Sequence, residues 1–211
     1  MSRWIVSALL LLFGVRAAYA EIDVGFLPDL PYTVGLAGPF VGTHNDALFV
    51  AGGANFPHKS LIEGGEKIWH DQMYVFTPGA KQWDTRFKLA APRAYGASAS
   101  TRFGMLMIGG GDHERDYAEV ALTTWNKEKK TVEQHPLPAL PIPLQVCRAV
   151  AIGDRVYVMS GKSSAHPDHQ FKRFWVMDLS AKKRTWTALK TLPGKPRANP
   201  VMAVQKWQGE S

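Results

Sequence analysis

The stretch Asp46-Ala-Leu-Phe-Val-Ala-Gly-Gly53 recurs twice further along the chain, as Phe103-Gly-Met-Leu-Met-Ile-Gly-Gly110 and Asp154-Arg-Val-Tyr-Val-Met-Ser-Gly161. Each is a short apolar run ending on small residues, the pattern of a strand buried on both faces and halted by a turn. A second set of aromatic and β-branched runs follows each of these, at Met73–Phe76, Val120–Thr124 and Phe174–Leu179. A third set begins with arginine: Arg93–Ala99, Arg148–Ile152 and Arg197–Ala203. Trp83 and Trp186 close two of the units, while Val132 stands near the place where the middle unit would have its tryptophan.

These landmarks return in the same order at a period of about 50 residues, which is the signature of the kelch repeat, one four-stranded blade per unit. A β-sandwich has short strands of similar composition but no reason to repeat three landmarks in register. The expected fold is therefore all-β, a kelch-type β-propeller with blades over about 35–90, 91–145 and 146–196 and the start of a fourth at 197–211. Propellers hold roughly four to eight blades. About three blades plus one strand make an incomplete ring whose end blades lack a neighbour to bury them. The expectation is a truncated product, or a chain that closes the ring as a homodimer or with a missing half.

Arg3, the apolar run Trp4–Phe13 and the small-residue stretch Ala18-Tyr19-Ala20 have the layout of a cleavable secretory signal. The run is broken by Gly14 and Arg16 and falls short of the about 20 apolar residues that span a bilayer. Residues 1–20 are thus expected to be a signal peptide and 21–211 an exported chain, periplasmic or secreted. Cys147 is the single cysteine, so no intramolecular disulfide is available, and a thiol inside a strand reads as a small hydrophobe.

The formal net charge is +7, and the two arginines of the first twenty residues supply two of those charges. The basic groups Lys127-Lys129-Lys130 and Lys182-Lys183-Arg184 sit beside hairpin turns instead of forming a stripe interleaved with stacking aromatics, which excludes a nucleic-acid reader. His58, His70, His166 and His169 lack the spacing of a metal site, and none is expected. Asp112-His-Glu-Arg-Asp116 brings acid, base and cation together but reads as a solvated loop.

Gly35-Leu-Ala-Gly-Pro-Phe-Val-Gly-Thr-His-Asn-Asp-Ala-Leu-Phe-Val-Ala-Gly-Gly-Ala-Asn-Phe-Pro57, followed by Arg93-Ala-Tyr-Gly96 and Met107-Ile-Gly-Gly-Gly111, resembles the N-acetylneuraminate epimerase (sialic acid mutarotase) family. The later stretch Trp186–Arg197 resembles an early blade of that enzyme, the order of its cyclically permuted branch. The resemblance implies a ring of about six blades and a cofactor-free isomerase that interconverts anomers of sialic acid or a related sugar. It also places the catalytic glutamate and its arginine in a blade that, in permuted order, would lie near or beyond residue 211, so no residue here takes that role by correspondence.

Mutarotation needs a group that moves the anomeric proton, another that protonates the ring oxygen, and a cation for the carboxylate of an acidic sugar. Arginine suits the last task because its planar fork matches a carboxylate with two hydrogen bonds. Arg93, Arg148 and Arg197 are the binding candidates, each read as the start of an innermost strand, and each could equally tie neighbouring blades through backbone carbonyls. Tyr95, two residues after Arg93, is expected on the same strand face, where it could stack on a sugar. Asn55 and Phe56 follow the first Gly-Gly, where a loop would overlook the channel. The alternative to the enzyme is a non-catalytic kelch module that binds glycan or protein through the same loops, since a fold does not fix a function.

Overall fold

A computed structural model of the chain describes residues 24–32, 34–164, 173–196 and 198–205. The expected signal peptide, Arg197, His166 and His169 lie outside the described residues. The architecture is all-β, with three four-stranded antiparallel sheets and one two-stranded ribbon. The first sheet pairs β1 (Phe40–His44), β2 (Ala47–Ala51), β5 (Gln72–Phe76) and β6 (Asp84–Lys88) in that order, and the ribbon joins β3 (Ala54–Asn55) to β4 (Ile68–Trp69). The second contains β7 (Ala97–Thr101), β8 (Gly104–Ile108), β9 (Val120–Asn126) and β10 (Thr131–Leu137). The third contains β11 (Arg148–Ile152), β12 (Arg155–Met159), β13 (Phe174–Asp178) and β14 (Thr187–Ala188). First strands lie side by side, β1 on β7 and β7 on β11, so the sheets are the blades of an open propeller arc.

Period-2 alternation explains how one strand serves two interfaces. Every residue of β8 is buried. Met105 and Met107 face the first blade, where they pack with Phe40, Phe49, Met73 and Trp125. Leu106 and Ile108 face the third, with Leu144, Val156, Val158 and Trp175. Each such side chain, fully buried, contributes about 1.5–3 kcal/mol relative to exposure. The tryptophan missing at Val132 is supplied by its direct cross-strand partner, Trp125, whose ring meets Phe87 edge-on at 6.1 Å between the first two blades. Trp83 and Trp186 each donate Nε1–H to a prolyl carbonyl in the segment that precedes their blade, Pro28 at 2.8 Å and Pro138 at 2.9 Å.

First strands would leave backbone donors unpaired at their inner edge, a cost of the kind that loose sheet edges carry. Between the first two blades serine hydroxyls remove it. Val41 N–H donates to Ser98 Oγ at 3.0 Å and Thr43 N–H to Ser100 Oγ at 2.8 Å.

The repeated Gly-Gly is a device for joining blades. Gly52 and Gly109 sit at φ +65° and +62°, and a Cβ on Gly52 would lie 2.1 Å from the Arg93 carbonyl oxygen. The next glycine of each pair donates its N–H to the following blade, Gly53 to Arg93 O at 2.9 Å and Gly110 to Leu144 O at 2.7 Å. The third unit has Ser160 at the first position, also left-handed at φ 53°.

A second connection runs around the mouth. Tyr95 N–H donates to Gly38 O at 2.8 Å, Val146 N–H to Tyr95 O at 2.6 Å, and Asn199 N–H to Val146 O at 3.0 Å. All four residues have left-handed backbone, φ 61°, 63°, 48° and 53°. Residues 198–205 thus continue the series through Asn199, but they form no strand, because no described neighbour offers them a ladder.

Candidate functional site

The loops that follow each Gly-Gly rise at the mouth ringed by Gly38, Tyr95, Val146 and Asn199. The first two have matching bases. His70 N–H donates to Gly53 O at 2.9 Å as Tyr117 N–H donates to Gly110 O at 2.8 Å. Ala54 pairs with Trp69 as Gly111 bridges Asp116. Side chains repeat the match, with Asn55 bonded to His70 at 2.9 Å and Tyr117 Oη–H donating to Asp112 at 2.5 Å.

Between these bases the loops differ. The second is a tight turn, in which Asp112 Oδ1 accepts the N–H groups of Glu114 and Arg115. The first is longer and carries the β3–β4 ribbon and a single 3₁₀ turn, Leu61–Glu63. Ser60 holds that turn by donating its N–H and hydroxyl to Glu63, which keeps the exposed Glu63 carboxyl below its ordinary range. Leu61 and Ile62 are exposed at its tip.

This longer loop encloses a groove of about 510 Å³ with Phe56, Lys59, Lys67 and Tyr95 among its walls. Lys67 Nζ lies 4.3 Å from the centroid of the Tyr95 ring and 5.0 Å from that of Trp69. No described carboxylate pairs with it, and Trp69 Nε1 is buried without an acceptor. His113, from the second loop, faces Trp69 with ring centroids 6.2 Å apart. A cation held on two aromatic faces at the wall of a groove suits a ligand with one negative charge and a face that stacks.

The structure distributes the sequence candidates over several places. Phe56 and Tyr95 line the groove. Asn55 borders it but is spent on the scaffold, because its amide donates to the carbonyls of Val34 and Gly35 at 3.3 Å and its Oδ1 faces His70 Nε2. Since that oxygen can only accept, His70 Nε2 carries the proton. Burial holds the His70 pKa below its ordinary value, against an opposing pull from Asp71.

Arg93 and Tyr95 do not share a strand face. The left-handed backbone at Tyr95 breaks the alternation before β7 begins, so Tyr95 enters the groove while Arg93 lines a different cavity. Nor are Arg93 and Arg148 equivalent. Taking the ring of left-handed residues as the register, Arg93 precedes Tyr95 whereas Arg148 follows Val146 and opens β11. Arg148 donates to the Cys147 carbonyl at 2.9 Å and to Asn199 Oδ1, a tie between successive units.

Three residues of this region were hidden from the sequence reading. Lys67 and Trp69 had one visible signal, their position in an unusually long insertion after a Gly-Gly. Asp116, within the stretch read as a solvated loop, is buried and reaches the third blade, accepting from Gln145 Nε2 and from the Ser164 N–H at 2.6 Å and hydroxyl at 2.9 Å. The other members of that stretch are more open, as expected for a loop. Cys147 is fully buried in the core between the second and third blades. Among the described residues no three His, Cys, Asp or Glu side chains gather as metal ligands.

Comparison with known proteins agrees with the likeness read from the sequence. The chain is 34% identical over 109 residues to the N-acetylneuraminate epimerase of Brucella suis, covering 47% of this chain and 28% of the relative. It is 39% identical over 85 residues to that of Yersinia pestis, covering 36% of this chain and 21% of the relative. The epimerase of Yersinia enterocolitica matches over 85 residues at 34%. The resemblance to these epimerases is therefore partial, spanning less than a third of their length. No family model matches the chain.

Proposed function

We propose, from the partial resemblance to N-acetylneuraminate epimerases, that the long-loop groove binds an acidic sugar such as N-acetylneuraminate and contributes to a site that interconverts its anomers. The observation that carries this reading is the Lys67 ammonium, poised over Tyr95 and Trp69 without a carboxylate of its own. In this reading Lys67 takes the sugar carboxylate, and Tyr95 and Phe56 pack against the ring. Arg197 remains a binding candidate on sequence alone. No residue described here is assigned the transfer of protons, and in this reading a partner that carries the missing half of the ring supplies those groups. The chain acts as an exported kelch-type propeller unit, in the periplasm or outside the cell, without a cofactor.

The test is an NMR titration of the full chain with N-acetylneuraminate and with its uncharged methyl ester. The acid is expected to bind, and Lys67→Gln to weaken it by about ten- to a hundredfold, the equivalent of losing one charge-assisted hydrogen bond of about 1.5–3 kcal/mol. The ester should be nearly indifferent to that substitution. Exchange spectroscopy between the α and β anomer signals on the same samples then reads the reaction. Faster exchange with protein supports the isomerase, binding without it favours a sugar-binding module, and absence of binding refutes the assignment.

A further inference from the structure

A second cavity, of about 320 Å³, lies between the first two blades, away from the groove. Its floor is apolar, with Leu89, Ala90, Met107 and Val120. The charged residues of its lining are Arg93, Arg115 and Glu119, two guanidiniums against one carboxylate. The carboxylate is already committed, since Arg115 Nη2 donates to Glu119 Oε1 at 2.9 Å. Arg93 has no such partner. Its guanidinium sits 5.1 Å from the centroids of both the Phe40 and Tyr117 rings, and its Nη2 is buried with no hydrogen-bond acceptor. Arg93 is partly buried, and a cation with a sealed, unbonded nitrogen is costly; the charge of Glu119 and the aromatic faces compensate only part of that cost.

We infer that this cavity is a binding site for a small apolar monocarboxylate, whose charge pairs with Arg93 and whose carbon skeleton rests on the Leu89–Met107 floor. The count of charges sets the ligand's charge at one, because a single negative charge brings the lining to neutrality. The apolar floor sets its character, since a purely inorganic anion would leave that surface uncovered. The planar guanidinium sets the head group, as its donors match the two oxygens of a carboxylate. The site is separate from the sugar groove and does not depend on it. Tyr95, the groove wall nearest in sequence to Arg93, is absent from the cavity lining.

Benzoate and the isosteric neutral benzamide test the assignment, titrated into the isotope-labelled full chain while backbone amide shifts are followed. Benzoate is expected to move the amides of Ala90, Ala91, Tyr117 and Glu119, and benzamide to bind at least tenfold more weakly. Arg93→Gln should reduce benzoate affinity by tenfold or more. Because a partly buried arginine can matter for folding, Gln134→Glu provides the second variant. Gln134 is exposed at the edge of the cavity, and a carboxylate there cancels the excess charge at the cost of one exposed bond, from Gln134 Nε2 to the Lys88 carbonyl at 3.0 Å. It should weaken benzoate several-fold while leaving the thermal transition in place. Equal binding of benzoate and benzamide, shifts confined to residues 54–69, or unchanged affinity in both variants would each overturn the inference. Shifts confined to residues 54–69 would leave the sugar groove standing as an anion site, and so separate the two assignments.

Discussion

The backbone N–H of Trp125 donates to Nδ1 of His44 at 3.0 Å, a bond between the second blade and the first. Nδ1 can accept only while it is unprotonated. Burial, the leading cause, lowers the His44 pKa, while a backbone hydrogen bond at Arg102 opposes it. A group that binds protons more readily in the unfolded chain makes stability rise with pH. This contribution is complete above the unfolded value of about 6.5 and is lost as pH falls toward the lower folded value. His70 has the same sign. The melting temperature should therefore decrease between pH 7 and pH 5. His44→Asn, which retains an acceptor that does not titrate, should flatten part of that slope in melts followed by circular dichroism.

Asn55 links the long loop to the segment before the first blade through its bonds to Val34, Gly35 and His70. Asn55→Ala removes both bonds to those carbonyls and leaves His70 Nε2–H only the more distant Tyr32 Oη, at 3.3 Å. Val34 and Gly35 are exposed, so water can take up their carbonyls, and urea unfolding should show the loss of ordinary hydrogen bonds, about 0.5–1.5 kcal/mol. Lys67 depends on the same loop for its position. Amide hydrogen exchange should accordingly speed up across residues 54–70 more than in the tight loop of the second blade.

Cys147 is sealed between the second and third blades, and burial pushes its thiol up to about 11, far from a reactive thiolate. Ellman's reagent should not modify the folded chain at pH 8 on the timescale of minutes. It should release one equivalent of chromophore after denaturation in guanidinium. Rapid labelling without denaturant would mean that this interface opens readily.

The blades were legible in the sequence because the features that make them are local: apolar runs, paired glycines and tryptophans at a steady interval. The register between blades was less so. Aligning Arg93 with Arg148 matched residue types, whereas the fold matches Gly38, Tyr95, Val146 and Asn199, four different residue types that share a left-handed backbone and are joined in series by three hydrogen bonds. Nothing in the identities of Val146 or Tyr95 announces that conformation. The site suffered similarly. Phe56 could be placed near the mouth from the loop that follows Gly-Gly and Tyr95 from its place beside Arg93 at the head of a strand, but Lys67 reaches Tyr95 only because the β3–β4 ribbon folds the insertion back. Trp125 shows the same limit at the level of packing, since it fills from one strand the gap expected at its cross-strand neighbour.

The matched bases of the first two loops make what lies between them exchangeable. Gly53 and His70 hold the long insertion with the same backbone bond by which Gly110 and Tyr117 hold a short turn. The scaffold thus accepts a long insertion and a tight turn on one and the same socket, and recognition can evolve, or be engineered, by transplanting the insert alone. Moving residues 54–69 onto the second blade would carry the Lys67–Trp69 pair to a new position around the axis, and the one interblade tie it would have to replace is that of Asp116 to Gln145 and Ser164.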